Sequence, residues 1–346
     1  MIFRSIGSSV TVSIVQRQEM SNSCSMTLVG GGARRPPVSV WAGPTSERGA
    51  VTHARDTDYI DHSVVITREF EKVWARYEEL GFTLSPPSRH TVTTAPGGPL
   101  VRSCTANRCA YFGESFLELI GIVDDTAPDP WRALPLIDGR YQGLRGASFG
   151  FGDSREALAR LRAVGLAGSG VLSLRRPVDT PEGPRTVRAR SVHIDRSKTP
   201  DGILHTAEHL TPQYVHQPRL LRHANGAQYL DSVLLVVDDS ELDDYRARYA
   251  AMLGRPARTE GNRHLFQLRT GRVEISPATA LADVLPGETA PVLPFFAAHG
   301  VAVADLAAAR SLIESKGLAT RRLPDGFFVS AADAGGASVV FRQERP

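Results

Sequence analysis

The chain of 346 residues predicts an α+β fold made of one structural unit that is repeated four times. Two observations support this prediction. From residue 58 onward, a short apolar strand is followed by an amphipathic helix and then by two or three further strands, and this order recurs in four consecutive segments. The segments are joined by links rich in proline, glycine and polar residues, which are typical of connections between compact units. Each unit therefore has the order βαβββ.

The first two units are predicted for residues 56–125 and 143–212. The first opens with a β-branched strand around His62, which is followed at once by a helical stretch. In the second, the helix begins after Asp153, a residue type that caps helix N-termini. The last strand of the second unit is predicted for residues 203–209.

The last two units are predicted for residues 228–277 and 295–346. Their helices stop at Gly254 and Gly317, as expected for glycine just after a helix C-terminus. Residues 213–227 are predicted to be the linker that divides the chain into two halves of two units each. Superimposing the four opening strands places four residues at one structural position: His62, Ser148, Ser232 and His299.

Residues 1–55 differ from the rest of the chain in composition, with glycine and proline runs, many serines and little periodicity. We expect this tail to be disordered or to reflect an over-extended start. The 40 basic and 37 acidic residues give a formal net charge of +3, which is too balanced for an electrostatic nucleic-acid binder. No apolar run is long enough for a transmembrane helix.

The three cysteines, Cys24, Cys104 and Cys109, have neither a disulfide framework nor the spacing of a zinc knuckle. An odd number of cysteines without a regular pattern favours a reducing compartment, so we expect a cytoplasmic protein.

Several polar residues interrupt otherwise apolar strands and are the candidates for chemistry. His62 lies in the first strand of the first unit, and Glu118 is centred in its last strand. In the last strand of the second unit, His205 and His209 share one face because strand side chains alternate. Residues 205–209 also match the H-x-x-E-H motif of zinc proteases, but that motif requires a helix, and here a strand is predicted.

With these residues in place, the chain resembles the vicinal oxygen chelate superfamily, which includes glyoxalase I and the extradiol dioxygenases, and within it the glyoxalase-like branch. The resemblance implies four βαβββ modules paired into two cup-shaped mixed β-sheet barrels. It also implies one metal in each cup, held by residues of the first and last strands of the paired modules. The stretches that carry the resemblance are residues 60–66, 106–112, 116–120 and 208–212.

Carried onto this chain, the resemblance implies that His62, Glu118 and His209 bind a divalent metal ion, which would be Zn, Ni, Mn or Fe(II). Ser148 departs from the pattern, because metal enzymes of the superfamily commonly have His, Glu or Gln there. The catalytic candidates are Glu118, Tyr111 and His205. In the second half only Glu274 and His299 remain as candidate ligands, so that half is expected to be structural or a degenerate cup.

The function expected from the resemblance is that of a metal-dependent enzyme acting on a small oxygenated substrate, a carbonyl or aromatic compound, by isomerase, lyase or dioxygenase chemistry. The alternative is a non-catalytic protein that binds or sequesters a small molecule in the same fold. The expected partner is a small molecule rather than nucleic acid or membrane, and the resemblance implies a homodimer.

Overall fold

The computed structural model describes residues 57–93 and 99–344, so the predicted tail, residues 1–55, and Cys24 lie outside the described residues. The first unit consists of β1 (Tyr59–Thr67), α1 (Phe70–Glu79), β2 (Ser88–Thr93), β3 (Leu100–Tyr111) and β4 (Phe116–Ile122). After the short α2 (Ala133–Ile137), the second unit consists of β5 (Gly143–Gly150), α3 (Ser154–Ala163), β6 (Leu172–Thr180), β7 (Gly183–Ser191) and β8 (Ile203–His209).

A one-turn helix, α4 (Pro212–Val215), lies between the halves of the chain. The third unit then consists of β9 (Ala227–Val237), α5 (Leu242–Leu253), β10 (Arg258–Glu260), β11 (Arg263–Gln267) and β12 (Arg272–Pro277). After α6 (Leu281–Val284), the fourth consists of β13 (Phe295–Val303), α7 (Leu306–Ser315), β14 (Arg321–Leu323), β15 (Gly326–Val329) and β16 (Ser338–Gln343). The predicted order βαβββ is thus confirmed in all four units.

These strands form two mixed sheets of eight strands, in the orders β2-β3-β4-β1-β5-β8-β7-β6 and β10-β11-β12-β9-β13-β16-β15-β14. In each unit the first strand runs parallel to the last, and consecutive units join through their first strands, which are antiparallel to each other. Unit one therefore pairs with unit two, and unit three with unit four. The α+β fold of paired modules is confirmed.

The helices begin and end where short-range chemistry requires. The Asp153 carboxylate accepts hydrogen bonds from the first-turn backbone N–H groups of Arg155 and Glu156, which fixes the start of α3. Helix α5 ends at Gly254, whose φ of 71° is in the left-handed region. Helix α1 packs so closely on β4 that a Cβ at Gly121 would lie 2.3 Å from the Cβ of Phe70. None of the helices in the described part of the chain is long and apolar enough to cross a membrane.

The two halves share one hydrophobic core rather than standing apart. Strand β1 packs against β9, and β5 against β13, within a single buried cluster that draws on all four units. The rings of Phe82 and Phe341 are stacked at a centroid distance of 6.1 Å across this boundary. The core lies between the sheets and their helices, so it leaves the opposite face of each sheet to form a cavity.

The superposition of the four opening strands was wrong by one residue in the fourth unit. His62 pairs directly with Ser148, but Ser232 pairs with Gly300 rather than with His299. Because strand side chains alternate, this shift places His299 on the opposite face, in the shared core. There its Nδ1 lies 3.0 Å from the Oγ of Ser63 and its Nε2 lies 2.8 Å from a tyrosine hydroxyl, so it is not a ligand candidate of the second half.

Candidate active site in the first cup

The first sheet and its connections enclose a cavity of about 210 Å³, which we call the first cup. Strands β1–β4 of the first unit and β6–β8 of the second contribute to its lining. Most of the wall is apolar or aromatic, including Val64, Phe116, Trp131 and Val187. The volume is below the ~300–1,000 Å³ typical of sites for drug-sized ligands, so the cup suits a small molecule.

A β-bulge in β1 brings two consecutive polar residues to this cavity. The pairing of β1 with β5 skips from Ile60 to His62, which leaves Asp61 as the extra residue on the bulged strand. In a regular strand Asp61 and His62 would point to opposite faces. Here both line the cup, and Asp61 Oδ1 lies 2.6 Å from His62 Nδ1.

Asp61 joins two histidines from different units. It is fully buried, and its second oxygen, Oδ2, lies 2.8 Å from Nε2 of His209 in β8. Burial alone would raise the pKa of this carboxyl, but the charges and hydrogen bonds of His209 and His62 outweigh burial and hold the pKa well below its usual range. An ionised carboxylate can only accept hydrogen bonds. Nδ1 of His62 and Nε2 of His209 must therefore both carry a proton.

The tautomer fixed by Asp61 directs the other nitrogen of His62 towards Glu118. His62 Nε2 lies 3.7 Å from Glu118 Oε2, and Asn107 Nδ2 donates a hydrogen bond to Glu118 Oε1 at 2.6 Å. The His62 ring is stacked on Phe116 with the centroids 4.4 Å apart. These contacts fix the position and orientation of the imidazole between two carboxylates.

The other predicted site residues also line the cup, in different roles from one another. Burial raises the pKa of Tyr111, so its hydroxyl stays protonated and serves as a hydrogen-bond donor or acceptor rather than as a base. His205 has its ring centroid 5.0 Å from that of His62, and its Nδ1 has no hydrogen-bond partner among the described residues. Burial, followed by the neighbouring imidazoles of His62 and His193, lowers the pKa of His205 well below its ordinary value.

His209 differs from His205 because it faces a carboxylate. Burial would lower its pKa, but the nearby Asp61 carboxylate outweighs burial, and the pKa of His209 is raised. Its Nδ1 has no hydrogen-bond partner among the described residues.

The predicted metal ligands can be compared with this geometry. His62 Nε2 and Glu118 Oε2 converge, but Nε2 of His209 is engaged by Asp61. Within residues 57–93 and 99–344, no group of three or more His, Cys, Asp or Glu side chains is arranged to hold a metal ion. Because Nε2 of His209 is engaged by Asp61, a metal site of His62, Glu118 and His209 stays a prediction, and we assign no chemical step to a metal.

The sequence reasoning missed several polar residues of the cup, among them Asp61, Asn107 and Arg176. Asp61 was overlooked because alternation places it on the face opposite His62, and only a bulge reverses that. Asn107 and Arg176 carried no motif. Asn107 could have been noticed as a polar residue two positions before Cys109, which pairs with Glu118 across β3 and β4.

The second sheet encloses a larger cavity of about 540 Å³, the second cup, whose buried charged residues are paired with one another. Strand pairing relates its residues to those of the first cup: His62 pairs with Phe116, as Ser232 pairs with Arg272. Asp61 is equivalent to Asp231, and Glu118 to Glu274. Asn107, which donates to Glu118, is equivalent to Arg263, which donates to Glu274. Asp231 also falls at a skipped register position, between Leu230 and Ser232.

Arginines take the place of the imidazoles in the second cup. Arg272 and Arg342 each lie 3.1 Å from Asp231 Oδ2, and Arg263 Nη1 lies 2.7 Å from Glu274 Oε2. Arg342 Nη1 also donates to the Oγ of Ser232 at 2.9 Å. In the second cup, arginine–carboxylate pairs thus surround the acids, and the expectation that this half is structural or a degenerate cup stays a prediction.

Comparison with known proteins agrees with the fold. A solved structure described as a hypothetical protein from Staphylococcus aureus is similar over 83% of this chain and 99% of its own, with 10% sequence identity and a TM-score of 0.53. A xylose isomerase-like TIM barrel/4-hydroxyphenylpyruvate dioxygenase fusion protein is similar over 81% of this chain and 42% of its own, with 12% identity and a TM-score of 0.52. This chain thus spans less than half of the fusion protein. No curated protein matches the sequence.

The paired βαβββ modules and these likenesses define a protein of the vicinal oxygen chelate fold. A family model described as a glyoxalase-like domain matches residues 60–253, more than half of the chain, and the chain belongs to that glyoxalase-like family.

Proposed function

We propose that the protein is an isomerase or lyase that moves a proton on a small oxygenated substrate in the first cup. The observation that carries this proposal is the position of His62 between the carboxylates of Asp61, 2.6 Å from Nδ1, and Glu118, 3.7 Å from Nε2. A base must be within reach of the substrate and must have its tautomer and orientation fixed. Asp61 fixes the tautomer and the orientation of His62, in the way that a buried carboxylate orients the base of a hydrolytic triad.

In the proposed reaction, Nε2 of His62 removes a proton from a carbon next to a carbonyl group. The imidazolium that forms is stabilised by Asp61 and Glu118 on its two sides. The proton then returns to the substrate atom next to that carbon, which completes an isomerisation. Alternatively, the electron pair left on the carbon expels a leaving group from the substrate, which completes a lyase reaction. Tyr111, which stays protonated, can donate a hydrogen bond to an oxygen of the substrate.

Dioxygenase chemistry, which the name of the fusion protein includes, is a weaker candidate for this chain. Oxygen-dependent ring cleavage relies on a redox metal held by several residues, and His209, the third predicted ligand, is bound to Asp61. The proton-transfer reaction needs only side chains that the cup already holds in place.

The proposal is tested by hydrogen exchange in D₂O. The purified protein is incubated with a panel of small 2-oxo acids, 2-hydroxy acids and aldehydes, and deuterium incorporation next to the carbonyl or hydroxyl is followed by NMR. We expect incorporation with the wild type and a loss of about 10²–10⁴-fold in His62→Gln, the range typical of a missing general base. The matched control is His264→Gln, because His264 lies on β11 in the second half.

Two further results decide between the hypotheses. Asp61→Asn removes the charge that orients His62, so we expect it to slow exchange and to shift the pH profile, since Asp61 acts through the imidazole. If a compound binds in the first cup of the wild type but exchanges no proton, and His62→Gln binds it unchanged, the protein is the non-catalytic binding protein of the alternative hypothesis.

A further inference from the structure

A cation without an acidic partner among the described residues lies in the wall of the first cup. Arg176 is on β6, is half-buried, and contributes both to the first cup and to a smaller cavity of about 70 Å³ that shares Asn107, Tyr111 and Val215 with it. Its Nη2 lies 3.3 Å from the hydroxyl oxygen of Tyr111 and donates a hydrogen bond to it. The guanidinium therefore has a neutral partner and a position at the junction of two cavities.

Two arginines of the same sheet, one of which lines the same cup, are paired with carboxylates. Arg190 Nη1 lies 3.2 Å from Glu208, and Arg108 Nη2 lies 2.7 Å from Glu78. Within the part of the chain that the structure describes, no carboxylate oxygen lies within 4.0 Å of the Arg176 guanidinium, and Glu118 is a more distant neighbour. A half-buried guanidinium whose side-chain partner is a neutral hydroxyl keeps N–H groups that a bound anion can accept from.

The surroundings of Arg176 are suited to a carboxylate with an apolar body. The planar guanidinium can offer two parallel N–H groups to a carboxylate, and Tyr111 adds a hydroxyl beside it. Phe116 and Val187 provide apolar wall in the same cavity, which also contains His62. A small monocarboxylate would thus satisfy the cation while keeping its apolar part out of water.

We propose that Arg176, assisted by Tyr111, binds the carboxylate of the substrate, which makes the substrate class of the first cup a small monocarboxylate with an apolar or aromatic body. This inference rests on the proposed function, because it names the substrate of the same cup. Arg176 is in this sense a residue that determines specificity, and His62 remains the residue that moves the proton.

The test uses benzoate and its neutral analogue benzamide as probes, with binding measured by isothermal titration calorimetry. We expect the wild type to bind benzoate at least about tenfold more tightly than benzamide, since a charge-assisted hydrogen bond is stronger than a neutral one. Arg176→Gln should weaken benzoate about 10- to 100-fold and leave benzamide unchanged. Arg188→Gln, which removes the same charge from an exposed position on β7, should bind both probes as the wild type does.

Three results would overturn the proposal: equal binding of benzoate and benzamide by the wild type, undiminished benzoate binding by Arg176→Gln, or no benzoate binding by the wild type at tens of millimolar. A thermal unfolding curve of Arg176→Gln that matches the wild type separates lost recognition from lost folding. Binding is measured without turnover, so a failed proton-exchange experiment with intact benzoate selectivity refutes only the proposed function. Lost selectivity with intact exchange refutes only the carboxylate proposal.

Discussion

The most quantitative prediction concerns His299 in the core shared by the two halves. Its ring is fully buried between Ser63 and Tyr77, with hydrogen bonds of 3.0 and 2.8 Å to their hydroxyl oxygens. Burial lowers the pKa of His299 to about 3. The perturbation we propose is His299→Gln, which keeps groups able to bond to both hydroxyls but cannot take up a proton.

The sign and size of the effect follow from linkage. An unfolded histidine has a pKa of about 6.5, above the folded pKa, so below that pH the unfolded chain binds a proton that the folded chain refuses. The stability contributed by neutral His299 is present above about pH 6.5 and is lost as the pH falls, by ~1.4 kcal/mol for each pH unit. At about pH 5 the wild type has therefore lost about 2 kcal/mol relative to about pH 8 through this residue alone.

The assay is guanidinium denaturation of wild type and His299→Gln at about pH 8 and about pH 5, compared as a difference of free energies of unfolding. At the higher pH we expect the variant to be less stable by ~1–2 kcal/mol, because the imidazole packs and bonds well. At the lower pH that gap should shrink by about 2 kcal/mol, so that the variant equals or exceeds the wild type. A gap that stays constant within about 0.5 kcal/mol would refute the reasoning.

Two other predictions concern buried arginines. Arg145 is fully buried and lies 3.9 Å from the centre of the Tyr141 ring, and none of its guanidinium nitrogens has a hydrogen-bond partner among the described residues. We therefore expect Arg145→Met to raise the free energy of unfolding by ~1–3 kcal/mol. A loss of stability would contradict this prediction. Arg342→Met, which removes contacts to Asp231 and Asp325, should cost ~3–5 kcal/mol and leave benzoate binding in the first cup intact.

The fold was largely predictable because hydrophobic periodicity and helix caps are local signals. Strand β8, Ile203–His209, was predicted with the bounds that the structure has. The three-residue strands β10 and β14 were not predicted, since Arg258–Glu260 and Arg321–Leu323 have almost no apolar residues and exist only as edges of a sheet. Their pairing is imposed by the neighbouring strand rather than by their own sequence.

The site was less predictable because it depends on register. Sequence placed His62, Glu118, His205 and Tyr111 on strands, and all four do line one cavity. Alternation cannot reveal a bulge, so it hid Asp61, the carboxylate that engages His209 and fixes the tautomer of His62. His299 was misassigned by the same kind of error, because a shift of one residue moves a side chain to the other face of the sheet.

The two cups have acidic residues at equivalent positions but differ in the side chains that surround these acids. Both keep a buried aspartate at a bulge and a glutamate two residues past the pairing partner, but the first cup surrounds them with imidazoles and the second with guanidinium groups. A guanidinium stays charged at any accessible pH, so the second network neutralises its acids permanently and can carry no proton. An imidazole, unlike a guanidinium, can exist in a neutral and a protonated form. The proposed proton transfer therefore depends on the imidazoles of the first cup, while arginines surround the equivalent acids of the second cup.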